Sequence, residues 1–270
     1  FILDVLERLG IRATVVYFNA QYHDSIFYDI LAACQENFDV DFIGFSLPHD
    51  LITWCLGEEL ATGNGHLRNL EIYGRHVSAL FVANELGFRN IICGPNQQSE
   101  IVGSHYFIHK NQLSGPAFED IVIGCDLQHH VKVSIAKLGS KFAKSFQSDF
   151  ISSTLNKISW HFLSDYIFWD SENINNYYGN KFKVAPRKVN GFGSCWQSSS
   201  SGIKLEFFDL LRLILTGHSK IESYLSRDVR FGRINKISAL TILDRYKNKK
   251  WNLGGIAAFM NIHIDEVVHL

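Results

Sequence analysis

The chain has no Cys-x-x-Cys pair, no excess of either charge and no apolar run long enough for a bilayer. Each absence removes a class of function. The 5 cysteines, Cys34, Cys55, Cys93, Cys125 and Cys195, are widely spaced. That spacing excludes a zinc ribbon or an iron–sulfur cluster held by clustered thiolates. Lys and Arg number 26 against 27 Asp and Glu, a net charge of −1. A generally cationic surface that neutralises phosphates is not built from that balance, so a nucleic acid partner is not expected. The longest apolar runs, such as Ile121–Gly124 and Leu210–Leu215, fall far short of the roughly 20 residues a membrane-spanning helix needs. Spread thiols without a signal peptide lead to the expectation of a cytoplasmic protein and no membrane partner.

What is present suits a globular protein. Of 270 residues, 46% are hydrophobic and 20% charged, enough to bury a core and too many to leave the chain disordered. The first residues, Phe1 to Gly10, already read as a helix, with Ile2, Leu3, Val5, Leu6 and Leu9 on one broad stripe and Gly10 as its stop. No N-cap precedes that helix, so further residues are expected upstream. Ile11–Asn19 and Asp39–Ser46 read as buried strands, His23–Asn37 as a helix with Ile26, Phe27, Ile30, Leu31 and Cys34 inward. Pro48–Leu70 is less regular. Tyr73–Leu86 reads as a helix stopped by Gly87, and Phe88–Gly94 and Glu119–Gly124 as two more strands. Helices alternating with short apolar strands predict an α/β fold, a doubly wound parallel sheet over residues 1–140. From about Ser140 strand-like runs disappear and Asn173–Asn180 looks like a loop. Leu205–Leu215, Ile234–Tyr246 and Leu253–Val268 read as helices, so residues 141–270 are expected to form a mostly helical second domain.

In a doubly wound sheet, ligands bind beyond the carboxyl ends of the strands. Here those ends lead into Phe18-Asn19-Ala20, Phe45-Ser46, Gly124-Cys125 and the polar loop Gly94-Pro95-Asn96-Gln97-Gln98-Ser99-Glu100, with Tyr73-Gly74-Arg75-His76 opening the helix before that loop. Helix, strand and then Gly-x-Asn-x-x-Ser-Glu resemble the PP-loop ATP pyrophosphatase superfamily, especially ammonia-dependent NAD synthetases and 7-cyano-7-deazaguanine synthase-like proteins. The likeness covers roughly residues 1–140. The family's Ser-Gly-Gly-x-Asp-Ser loop is absent from the sequence; by the family's topology it belongs just before Phe1. The resemblance implies an adenine nucleotide alpha-hydrolase-like fold and an ATP-dependent ligase or amidotransferase-like enzyme. Such an enzyme adenylates a carboxylate or carbonyl group of a small molecule or peptide and releases pyrophosphate. It implies ATP and Mg²⁺ as cofactors, with Phe18, Asn19, Arg75, Gly94, Asn96 and Ser99 toward the nucleotide and Glu100 toward the metal.

Other readings stand beside it. A cobalamin-binding α/β module is a second, although its Asp-x-His-x-x-Gly ligand motif is missing. A non-catalytic nucleotide-fold subunit that binds a partner protein through its C-terminal helices is a third. The helix Leu205–Leu215 is apolar nearly all round, as a core or an interface helix would be. His105 with His109, and Cys125 with His129 and His130, offer zinc ligands, but an extended backbone separates the first pair by about 13 Å. Cys195 beside Trp196 is a candidate nucleophile or a packing residue. Basic clusters at Lys181–Lys188, Arg227–Arg233 and Lys247–Lys250 suit an acidic partner or simply a solvated face.

Overall fold

The computed structural model describes residues 1–23, 25–61, 69–93, 129–163, 166–167, 171–184, 205–251, 253–261 and 263. Their elements run in the order α1 Ile2–Arg8, β1 Thr14–Asn19, α2 Ser25–Asn37, β2 Asp41–Ser46, α3 His49–Ala61, α4 Asn69–Leu86 and β3 Asn90–Cys93. There follow α5 His129–Ala136, α6 Lys141–Lys144, α7 Ser148–Leu155, β4 Ser159–Phe162 and α8 Ser171–Phe182. The chain then continues through α9 Leu205–Thr216, α10 Lys220–Arg230, α11 Lys236–Lys247 and α12 Gly254–Met260.

The expected doubly wound sheet is not what these elements build. The described strands form two separate two-stranded parallel sheets, β1–β2 and β3–β4, and most of the described chain is helical. In the first sheet Thr14 pairs with Asp41 and Asn19 with Ser46; in the second, Asn90 pairs with Ser159 and Cys93 with Phe162. The PP-loop resemblance, and the ligase reading with it, required one extended parallel sheet and are therefore corrected. The cobalamin-module and nucleotide-fold-subunit readings fall with the same observation. A strand of four to six apolar residues specifies its own pleat but carries no information on how many neighbours it joins. The expected strand Glu119–Gly124 lies outside the described residues.

Helix α4 organises the larger core. Tyr73, Val77 and Leu80 on its inner face are almost fully buried, packed among Phe18 from β1, Trp160 and Phe162 from β4, and Phe146 after α6. This single cluster draws on residues on both sides of position 140. The Tyr73 hydroxyl donates to the Phe146 carbonyl at 2.9 Å, so a buried polar tip is satisfied. Gly74 allows the close approach of α4 to β1: a Cβ there would lie 2.7 Å from the Phe18 ring. At the start of the helix the buried Glu59 of α3 accepts the Leu70 N–H at 2.5 Å, a carboxylate placed at the positive end of the helix dipole.

Three elements depart from the sequence expectation. Pro48–Leu70 contains the helix α3, whose apolar residues Leu51, Ile52, Trp54, Cys55, Leu56 and Leu60 encircle it and so leave no clear stripe. Asn173–Asn180 lies inside α8, an asparagine-rich segment of weak helix propensity held by tertiary contacts. There Tyr178 donates to Asp4 Oδ2 at 2.9 Å, Lys181 reaches Asp4 Oδ1 at 3.1 Å, and Phe182 meets Phe38 edge-on. Strand β4 lies where strands were not expected; four residues alternating Trp160 and Phe162 inward with His161 between them are too few to show a period.

Candidate functional site

Exposed large apolar side chains recur over the described surface, Leu9, Leu86 and Ile214 among them, and two places stand out for the polar groups they hold. The first lies at the carboxyl ends of β1 and β2. Asn19 ends β1, and its Oδ1 accepts the backbone N–H of Gln21 at 2.8 Å, closing a local turn. Gln21 has φ +65°, the left-handed region that a non-glycine residue enters only when its surroundings fix it there. Its amide nitrogen donates to Ser46 Oγ at 3.0 Å and to the Leu47 carbonyl at 2.7 Å, while Ser46 Oγ donates to the Asn19 carbonyl at 2.9 Å. Gln21 Oε1 then faces His49 Nδ1 at 3.2 Å, an arrangement in which Nδ1 carries the proton and donates. The network locks the β1–α2 connection against the entry to α3. Its members satisfy one another, so it reads first as a structural clasp on a polar shelf.

Of the residues expected to contact ATP and Mg²⁺, Phe18, Asn19 and Arg75 are described; Gly94, Asn96, Ser99 and Glu100 lie outside the described residues. Phe18 turns into the core, 5% exposed, against Gly74. Arg75, the next residue on α4, stands exposed on the outer side of the helix. Its charge reaches His76 and Cys93. His76 is held neutral, its pKa pushed down to about 3 by burial and then by Arg75, with its ring edge-on to Trp160. Burial pushes the Cys93 thiol up to about 12, with Arg75 acting against that rise. Burial, reinforced by Glu59 and Glu58, does the same to Cys55. Neither thiol is poised as a nucleophile, since the thiolate is the reactive form. Among the described residues, no group of three or more His, Cys, Asp and Glu side chains could hold a metal ion. His130 is paired with Glu58 at 2.8 Å; His105, His109, Cys125 and Cys195 lie outside the described residues.

The second place is the helical region. Phe207 of α9 packs with Ile256 and Ala257 of α12 and with Leu56 of α3, while α10 and α11 close on Ile221, Leu225, Ala239 and Tyr246. Charged and polar groups are drawn inside this hairpin. Asp228, 2% exposed, receives Arg227 at 3.1 Å and Arg233 at 3.3 Å, and buried Asp209 accepts the Tyr246 hydroxyl at 2.6 Å. Lys249 lies over the rings of Tyr246 and Trp251 at 4.4 and 4.5 Å.

Large aliphatic groups on the same hairpin face outward instead. Ile237 is 78% exposed and Leu240 55%, one turn apart on α11, and Phe231 in the α10–α11 turn is 50% exposed. Lys236 and Arg245 are exposed on the same helix, and Arg230 is exposed at the end of α10, where its Nη1 donates to Ser226 Oγ at 2.8 Å. Asp244 also lies on the exposed side of α11, where its Oδ1 accepts from Asn248 Nδ2 at 3.1 Å. Single exposed apolar residues are ordinary; neighbouring ones on a hairpin that buries its charges are informative.

Sequence reasoning identified α11 but not its outward face, because helical periodicity locates a stripe without saying which stripe the fold covers. A regional charge count would have pointed there. Residues 1–60 hold ten acidic and two basic side chains, a net of −8, whereas residues 205–250 hold five acidic and ten basic, a net of +5. The near-zero total conceals that separation. No family model matches the sequence, and no curated protein resembles it significantly. Among the described residues no helix is long and apolar enough to cross a membrane.

Proposed function

We propose that the chain is a protein-binding subunit that presents the outer face of α11 to an acidic, amphipathic partner segment. The observation that carries this reading is the solvent exposure of Ile237 and Leu240, one turn apart on α11, with exposed Lys236 and Arg245 on the same helix outnumbering Asp244. An apolar centre supplies the burial that drives association, and a net positive charge around it selects the partner and speeds encounter. A nucleic acid would call for cations or free aromatic faces at the centre, whereas Ile237 and Leu240 are aliphatic and the Phe231 ring in the preceding turn has Arg233 over it at 5.0 Å.

The test is fluorescence anisotropy with a labelled synthetic helix of alternating leucine and glutamate stripes, set against a lysine-for-glutamate version and an unstructured oligonucleotide. The acidic helix is expected to bind, weakening at least about tenfold in the doubly substituted I237E/L240E chain, as loss of a central apolar anchor entails. Equal binding to that variant, or preference for the oligonucleotide, overturns the proposal.

A further inference from the structure

The molecule carries on its own acidic side a surface of the kind α11 would accept. Helix α2 is the outer helix of the first sheet, with Tyr17 of β1 edge-on to Phe27 on its inner side. Its exposed side shows Tyr28, 44% exposed, with Asp29, Ala32 and Glu36, and Ile30 beside them is 41% exposed. Asp29 and Glu36 are two helical turns apart on one stripe, with small Ala32 between them, so a facing helix can approach closely. Asp39 continues the negative charge beyond the helix end, and Asp41 follows it, 3.8 Å from Arg12. Thus α2 offers acidic groups around modest apolar area, and α11 offers larger apolar area where Lys236 and Arg245 outnumber Asp244.

Within one chain both faces remain exposed, so the fold does not satisfy one with the other. We infer that the partner of α11 is the α2 face of a second copy of this chain, giving a head-to-tail association driven by opposite charge. This inference rests on reading α11 as a docking face, and it names that face's occupant. The contact is heterologous: each molecule that engages through α11 leaves its own α2 open, so association continues into chains or closes as a ring. Because the charges are exposed, the association is salt-sensitive.

Sedimentation velocity on the 270-residue chain tests this. At about 50 mM salt the weight-average sedimentation coefficient should climb with protein concentration, and at about 500 mM it should not. I237E/L240E and D29K/E36K chains, each checked for native circular dichroism, should sediment as monomers on their own. Mixed in equal amounts they should form a dimer and nothing larger, since one intact α2 and one intact α11 remain. A wild-type chain that is monomeric throughout at low salt, or variants that associate like wild type, would overturn the inference. Should the wild type be monomeric while the acidic helix still binds through Ile237 and Leu240, self-association fails and the docking role stands. Loss of both results removes both.

Discussion

The region around α4 and the hairpin α10–α11 differ in what their helices do with the middle of their aliphatic stripes. On the inner face of α4 Val77 and Leu80 are fully buried, with Glu71 and Lys132 buried as well, while Arg75 and the last residue, Leu86, lie at the surface. In the hairpin Asp228 and Arg227 are buried together, while Ile237 and Leu240 face solvent. A buried ion pair contributes little net stability, because desolvating the two charges offsets most of their attraction. Exposed aliphatic groups contribute none until something covers them. The first region is thus arranged to hold the fold, and the second gives up some stability for a surface that can be covered.

That contrast can be broken by substitution. Trp160→Ala, in the core beneath α4, should cost about 3–5 kcal/mol, measured as a shift in urea midpoint at unchanged slope. A loss near zero would mean that β4 is peripheral. A pH titration sharpens the same point. His76 is neutral in the folded chain with a pKa near 3, against an ordinary value of about 6.5 in the unfolded chain. The unfolded state therefore takes up the extra proton between those values, so stability is full above about pH 6.5 and falls as the pH drops below it. The slope approaches about 1.4 kcal/mol per pH unit, and His76→Phe should flatten it in pH-dependent thermal melts.

Gly74→Ala should cost about 1–3 kcal/mol by pushing α4 off Phe18, visible as a lowered melting temperature. At the other end of the scale, Ile237→Ala should change stability by no more than about 0.5 kcal/mol, because little of its side chain is covered. A cost of several kcal/mol there would show that Ile237 belongs to the core and would abolish the comparison.

Local elements were legible where one sequence signal sufficed. Gly10 and Gly87 stop their helices at φ +66° and +73°, as their positions suggested. The strands at β1, β2 and β3 lie within the apolar runs that predicted them. Legibility failed where a remote partner supplies the stabilisation. Helix α8 depends on Asp4, whose carboxyl is held below the usual carboxylate range: burial acts to raise it, but the hydrogen bonds from Lys181 and Tyr178 and the charge of Arg8 outweigh that. Ile30 was expected inward on α2 and is 41% exposed, because the sheet it serves has two strands among the described residues and covers a narrower face. At the candidate sites, Asn19 was identifiable from its place at a strand end, whereas Gln21 and His49 offered no signal. A non-glycine residue at positive φ is chosen by the contacts around it, not by its own preference.

The sequence by itself determined the periodic helices, the short apolar strands, the glycine stops and the split of charge between its two ends. These follow from side-chain spacing and composition, which act over a few residues or as a plain sum. The tertiary structure alone decided that the described strands would form pairs, that an asparagine-rich stretch would be a helix, and that α11 would turn aliphatic groups to solvent. Those outcomes depend on which surfaces meet across long stretches of chain, and a residue's neighbours in sequence do not record what will cover it.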